Sequence, residues 1–122
     1  MFKRKPSKHA TIDTLIGART RINGDVEFAG GLHVDGHING NVRAETGSFL
    51  SVSQQGCIEG SVTATHVLLD GIVKGDVEAA ERVELGPKAR VLGSVRYSII
   101  ETAVGAQING KLIHRVNSAS EL

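Results

Sequence analysis

The sequence is poor in the residues that cross-link or rigidify a small protein. Its 122 residues include one cysteine, Cys57, so no intramolecular disulfide can form and a disulfide-stapled secreted scaffold is not expected. Two prolines, one tyrosine, three phenylalanines and no tryptophan leave aliphatic side chains to fill one modest core. No apolar run reaches the roughly 18 residues of a membrane span, and the N-terminus lacks a signal-peptide hydrophobic region. We therefore expect a single-domain cytoplasmic protein.

Acidic residues are absent from the first eight positions. The segment MFKRKPSK holds four of the 14 basic residues, so the remaining chain carries ten bases against 13 acids. A nucleic-acid-binding domain usually carries its basic surface on the folded body, often with aromatic stacking partners. This body offers neither, and no nucleic-acid partner is expected.

Glycine, in contrast, is abundant and periodic. A unit of the form apolar, any residue, Gly, any residue, apolar occurs six times, beginning with INGDV at positions 22–26. The six central glycines follow one another at spacings of 16, 20, 15, 18 and 17 residues. They are Gly24, Gly40, Gly60, Gly75, Gly93 and Gly110. Between units lies a second apolar alternation that closes on a glycine, as in Leu50 and Val52 before Gly56.

This period predicts an all-β, single-domain parallel β-helix. A repeat of about 17 residues is too short for a helix pair or a propeller blade but fits two or three short strands with tight turns. Apolar residues of about six stacked coils would then share one shaft, with coils about 4.8 Å apart. We assign residues 12–115 to this solenoid, residues 1–11 to a disordered basic tail and residues 116–122 to a disordered C-terminal tail.

The polar positions support the same register. The residue after each unit's last apolar position never has the same charge as its counterpart in the next unit. Opposite or neutral pairs on stacked strands are favourable, whereas like charges are unfavourable. The series is Glu27, Arg43, Thr63, Glu78 and Arg96. The residue before each central glycine offers an Asn23 and Asn39 pair and a Glu59 and Lys74 pair.

The repeated units joined by DG-x-[IV]-x-G, at Asp35 to Gly40 and Asp70 to Gly75, resemble the bactofilins, a family of bacterial cytoskeletal proteins. The resemblance covers roughly residues 12–115 and includes the basic leader MFKRK. It implies a right-handed β-helix that polymerises end to end, without nucleotide, into non-polar filaments. Such filaments often lie beneath the inner membrane and are often linked to cell-wall remodelling proteins.

The ends of the repeat predict where polymerisation occurs. A β-helix ends in a coil whose backbone and apolar shaft lack a neighbour, and most solenoids cover that coil with a helix or a polar repeat. No such cap is evident here, so the apolar residues of the ends should form the polymerisation interface. They are Leu15, Ile16, Ile108, Leu112 and Ile113.

The leader predicts an anionic membrane as a second partner. Each basic residue near an anionic leaflet contributes about 1 kcal/mol, and one copy binds weakly until a filament presents many copies together. The membrane-targeting residues are Met1, Phe2, Lys3, Arg4, Lys5 and Lys8. This places the protein in the cytoplasm, peripheral to the inner membrane.

Catalytic and cofactor motifs are not expected. GAQINGKL, positions 105–112, matches the glycines and Lys111 of a phosphate loop, but Leu112 stands where the magnesium-binding Ser or Thr belongs. His33, His37 and His66 do not occupy equivalent positions in successive coils, and no histidine adjoins Cys57 in sequence. We expect no enzyme activity, no cofactor and no metal.

Two other functions fit a solenoid. A strict six-residue pattern would indicate a left-handed hexapeptide-repeat acyltransferase subunit, but the spacing of the units is irregular. A monomeric solenoid that binds a partner through one flat face stays open at the level of sequence.

Overall fold

Short strands account for all the regular secondary structure that the computed structural model describes, which covers residues 11–115. No helix occurs within that range, and none therefore could cross a membrane there. The strands are β1 (Thr14–Ile16), β2 (Arg21–Asn23), β3 (Val26–Phe28), β4 (Gly31–Val34), β5 (His37–Asn39), β6 (Val42–Ala44), β7 (Phe49–Val52), β8 (Cys57–Glu59), β9 (Val62–Leu69), β10 (Ile72–Val73), β11 (Val77–Leu85), β12 (Arg90–Val91), β13 (Val95–Tyr97), β14 (Ile99–Thr102), β15 (Gln107–Ile108) and β16 (Leu112–His114).

The strands wind into six coils of three faces each, and every strand pairing is parallel. Face 1 stacks β1, β4, β7, the second half of β9, the second half of β11, and β14. Face 2 stacks β2, β5, β8, β10, β12 and β15. Face 3 stacks β3, β6, the first halves of β9 and β11, β13 and β16. The predicted all-β parallel solenoid of about six coils is thereby confirmed.

The core is a shaft of stacked aliphatic side chains. On each face, every coil places an inward apolar residue directly beside the inward residue of the coil before it. On face 2 the column contains one apolar residue per coil, and its four inner members are fully buried. It consists of Ile22, Ile38, Ile58, Val73, Val91 and Ile108. Faces 1 and 3 carry equivalent columns of Leu, Val, Ile and Ala. The shaft therefore needs no aromatic residue at its centre.

The central glycines form a column of their own at the corner between faces 2 and 3. A Cβ atom added to any of the five later glycines would lie 2.1–2.6 Å from the carbonyl oxygen of the glycine one coil before. Gly75, for example, would meet the Gly60 oxygen at 2.3 Å. No side chain fits at this distance, so the repeat keeps glycine for close backbone approach.

Outward side chains confirm the register predicted from the polar positions. Asn39 donates a hydrogen bond to Asn23 at 2.8 Å, and the Lys74 ammonium lies 3.5 Å from the Glu59 carboxylate. The residues that follow the central glycines form a further ladder, which the sequence did not reveal. In it the Asp25 carboxylate accepts the backbone N–H of Asn41 at 2.9 Å, and later coils repeat the contact.

The glycine column makes a prediction about stability. Gly75→Ala should lower the free energy of unfolding by about 1–3 kcal/mol or more, because its methyl group would overlap the Gly60 backbone. Gly17→Ala is the matched control, since the nearest atom to its Cβ would be 4.0 Å away. Thermal melting followed by circular dichroism should separate the two by at least about 5 °C. Equal melting temperatures would show that the corner can relax around a methyl group.

Candidate functional site: the two ends of the solenoid

Among residues 11–115, each end of the solenoid presents three strands that have a paired strand on one side only. At the N-terminal end β1, β2 and β3 pair only with the second coil, and at the C-terminal end β14, β15 and β16 pair only with the fifth coil. Backbone N–H and C=O groups on such edges are free to pair with another strand. No helix among residues 11–115 covers either end.

The apolar shaft is open at the same two places. On face 3 the column Val26, Val42, Val62, Val77, Val95 and Leu112 runs through all six coils. Its four inner members are at most 1% exposed, whereas Val26 is half-buried and Leu112 is 53% exposed. The rise in exposure at the ends results from a missing neighbour rather than from a change of direction.

The predicted interface residues divide by orientation. Leu112 and Ile108 lie at inward positions of the last coil, in register with Val95 and Val91. At the N-terminal end Ile16 is inward and 7% exposed. These three side chains are part of the shaft at its ends.

Leu15 and Ile113 lie at outward positions instead. Leu15 shares the register position of His33 and is 62% exposed, and Ile113 stacks beside Arg96 on face 3. Grouping by apolarity alone could not distinguish these two from the inward residues. Both flank the ends rather than form the shaft.

The C-terminal end carries further features that sequence reasoning missed. The Tyr97 and His114 rings are in contact, with centroids 5.6 Å apart, at the last register position of face 3. Val104, in the turn after β14, is almost fully exposed. An apolar residue in a turn of the last repeat was the available signal for Val104.

Charge contacts join the last coil to the fourth and fifth coils. The Arg82 guanidinium binds Glu84 on its own strand and Glu101 on β14, and the hydrogen bonds that it donates to these two carboxylates raise its pKa above the usual range. Arg115, directly after β16 in the last coil, lies 3.3 Å from Glu78 in the fourth coil. The end surface is therefore an ordered part of the solenoid.

Other predicted features also have definite places. Gly110 belongs to the glycine column, so the phosphate-loop match is the sixth copy of the repeat. His33 contacts Asp35 at 2.9 Å, and His66 lies 3.2 Å from Glu81. Both histidines lie on face 1, in the second and fourth coils and so outside the two end coils. The residues predicted to target a membrane, Met1 to Lys5 and Lys8, lie outside the described residues.

The fold gives Cys57 a histidine neighbour that its adjacent residues in sequence do not supply. His37 is its direct register partner on the neighbouring strand of face 2. Glu59 lies on the same outward side, with its carboxylate 3.1 Å from His37 Nε2. Partial burial raises the pKa of the Cys57 thiol above its usual range, against an opposing effect of Lys74.

Comparison with known proteins connects this geometry to a family. A family model described as bactofilin, polymer-forming cytoskeletal, matches residues 14–113. Two curated relatives from Myxococcus xanthus are similar: bactofilin BacO, 28% identical over 91% of this chain and 85% of its own length, and bactofilin BacP, 26% identical over 82% of this chain and 41% of its own.

A solved structure has the same fold. It is a cryo-EM reconstruction of Thermus thermophilus bactofilin double helical filaments, with a TM-score of 0.72 and 31% sequence identity, and the match covers 84% of this chain and 99% of that one. The six coils, their register and the family match over most of the chain lead to one assignment. This chain belongs to the bactofilin family of polymer-forming cytoskeletal proteins.

Proposed function

We propose that this chain assembles end to end, without nucleotide, into filaments that serve as a scaffold on the inner face of the cytoplasmic membrane. The observation that carries the proposal is the face 3 column, whose members are buried in the middle and exposed at Leu112. Stacking a second subunit on that end would continue the shaft and the strand ladders together. Family membership supports self-assembly as such.

The energy of such a joint comes from burial and strand pairing at once. Fully burying an aliphatic side chain is worth about 1.5–3 kcal/mol, and Leu112, Ile108 and the open strand edges would all gain partners. Neither contribution involves a phosphate group. This supports assembly that needs no nucleotide, as does the placement of Gly110 and Lys111 in a structural repeat.

Membrane attachment is assigned to the leader. Phe2 and the basic residues Lys3, Arg4, Lys5 and Lys8 match what an anionic leaflet binds, and a filament would multiply a weak single contact. A filament held there could position cell-wall remodelling proteins, its third proposed class of partner. Localisation is then cytoplasmic and peripheral to the inner membrane.

We favour a scaffold without catalytic activity over the alternatives. Coil lengths from 15 to 20 residues do not fit a hexapeptide-repeat acyltransferase, and the family is a structural one. A monomeric binding module would need its ends covered, whereas Leu112 is half exposed. The oligomeric state in solution therefore distinguishes the polymeric scaffold from the monomeric binding module.

The end-to-end joint predicts opposite effects for the same substitution at two leucines. Leu112→Arg places a charge in the joint, and a buried unpaired charge costs about 3–5 kcal/mol, so filaments should shorten to monomers or dimers that still melt cooperatively. Leu85→Arg should aggregate or unfold, because Leu85 has coils on both sides and is 2% exposed. Size-exclusion chromatography, thermal melting and electron microscopy in nucleotide-free buffer measure both.

Leu112→Met is the matched control, because it keeps the volume and should keep the filaments. Long filaments of Leu112→Arg would contradict a C-terminal joint. Assembly would then be lateral or would run through Leu15 and Ile16.

The leader predicts a separable membrane function. Deleting residues 2–5 should leave filament length unchanged but reduce binding to vesicles of phosphatidylglycerol and phosphatidylcholine about tenfold or more, since three basic residues are lost. Co-sedimentation measures the bound fraction, with pure phosphatidylcholine vesicles as the reference. Equal co-sedimentation of the full chain and the deletion would remove the membrane assignment.

A further inference from the structure

Three metal-ligating side chains meet on the outward surface of face 2, in the second and third coils. His37 on β5 stacks directly on Cys57 of β8, and Glu59 follows on the same strand and the same side. One ligand atom from each of the three lies within 4.8 Å of the others. The cluster lies outside the first and last coils, with the first coil between His37 and the N-terminal end, so none of its residues belongs to the proposed polymer joint.

The donor set determines which ion it fits. An imidazole nitrogen, a thiolate sulfur and one carboxylate oxygen together match Zn²⁺, which takes nitrogen and sulfur ligands in a tetrahedral arrangement. Mg²⁺ and Ca²⁺ require sets of oxygen ligands, which one carboxylate does not supply. We propose that His37, Cys57 and Glu59 bind one Zn²⁺-class divalent ion, with the fourth position open to water or to a ligand from another molecule.

The scaffold beneath the cluster is rigid, which favours a defined site. Each ligand strand is anchored by a fully buried residue of the shaft, Ile38 on β5 and Ile58 on β8. Sites built on strands hold their geometry better than sites on loops. The three ligand atoms need only converge on a common centre by side-chain rotation.

Two neighbouring side chains determine how the site is occupied. The Lys74 ammonium lies 3.5 Å from the Glu59 carboxylate, so it competes with a cation for that ligand. Its side chain is about half exposed and can move to solvent. The Asn39 amide oxygen accepts a hydrogen bond from His37 Nε2 at 2.8 Å, so the ion must bind through Nδ1 or displace this contact.

Cobalt(II) provides the direct test, because it replaces Zn²⁺ and reports a thiolate ligand by a charge-transfer band in the near ultraviolet. The purified full-length chain, reduced and free of added thiols, should bind one Co²⁺ per chain with that band, and Zn²⁺ should displace it. Cys57→Ser should abolish the band, since Cys57 is the chain's only cysteine. His37→Gln and Glu59→Gln should each weaken binding about tenfold or more.

Two further variants distinguish ligation from a general effect on folding. His33→Gln changes an outward histidine on face 1 that contacts Asp35, and binding should stay unchanged. Lys74→Met should strengthen binding about fivefold, because it removes the competing charge, and a destabilised fold could not produce such a gain. Absence of the band in the full chain, or affinity unaffected by His37→Gln and Lys74→Met, would overturn the site.

Discussion

The solenoid depends on the stacking of backbone on backbone at the glycine corner. A Cβ atom at five of these positions would lie 2.1–2.6 Å from the carbonyl oxygen below, so successive coils approach as closely as the chain permits. That contact fixes the height of each coil relative to the next. Once the corner is fixed, the flanking apolar residues, such as Ile58 and Val62, must meet their counterparts in the adjacent coils. Because each coil is held by its neighbours in this way, the first and last coils of residues 11–115 each have one edge without a neighbouring coil.

The sequence predicted the parts of this structure that repeat. Six glycine-centred units gave the number of coils, and the polar residues before the central glycines gave the register, since Glu59 and Lys74 do pair across coils. Inward and outward orientation at the ends was harder. Leu15 and Ile113 are apolar, as interface residues are expected to be. Their outward orientation becomes visible only from their register partners in the neighbouring coils, His33 and Arg96.

The His37, Cys57 and Glu59 cluster was missed for a physical reason. His37 and Cys57 are 20 residues apart, whereas most coils are shorter, so a uniform repeat would not have stacked them. The additional residues of that coil lie in the corner before β7 and in the turn between β7 and β8, and only the structure shows how much chain these two turns absorb. The ladder that begins at Asp25 and Asn41 was missed because it joins a side chain to the backbone, which leaves no mark in apolar periodicity.

The uneven coil lengths affect how such a protein can vary over evolution. The longest coil takes up two of its extra residues in the corner that contains Ser48, whose side chain is fully buried and accepts a hydrogen bond from the Thr65 N–H in the next coil. The insertion is therefore accommodated within the corner itself, and the residue columns of faces 1 and 2 continue past it without a shift in register. Corners of this type can gain or lose residues while the shaft stays constant. The outer surface of the fibre can therefore diversify toward new binding partners independently of the surfaces through which subunits join.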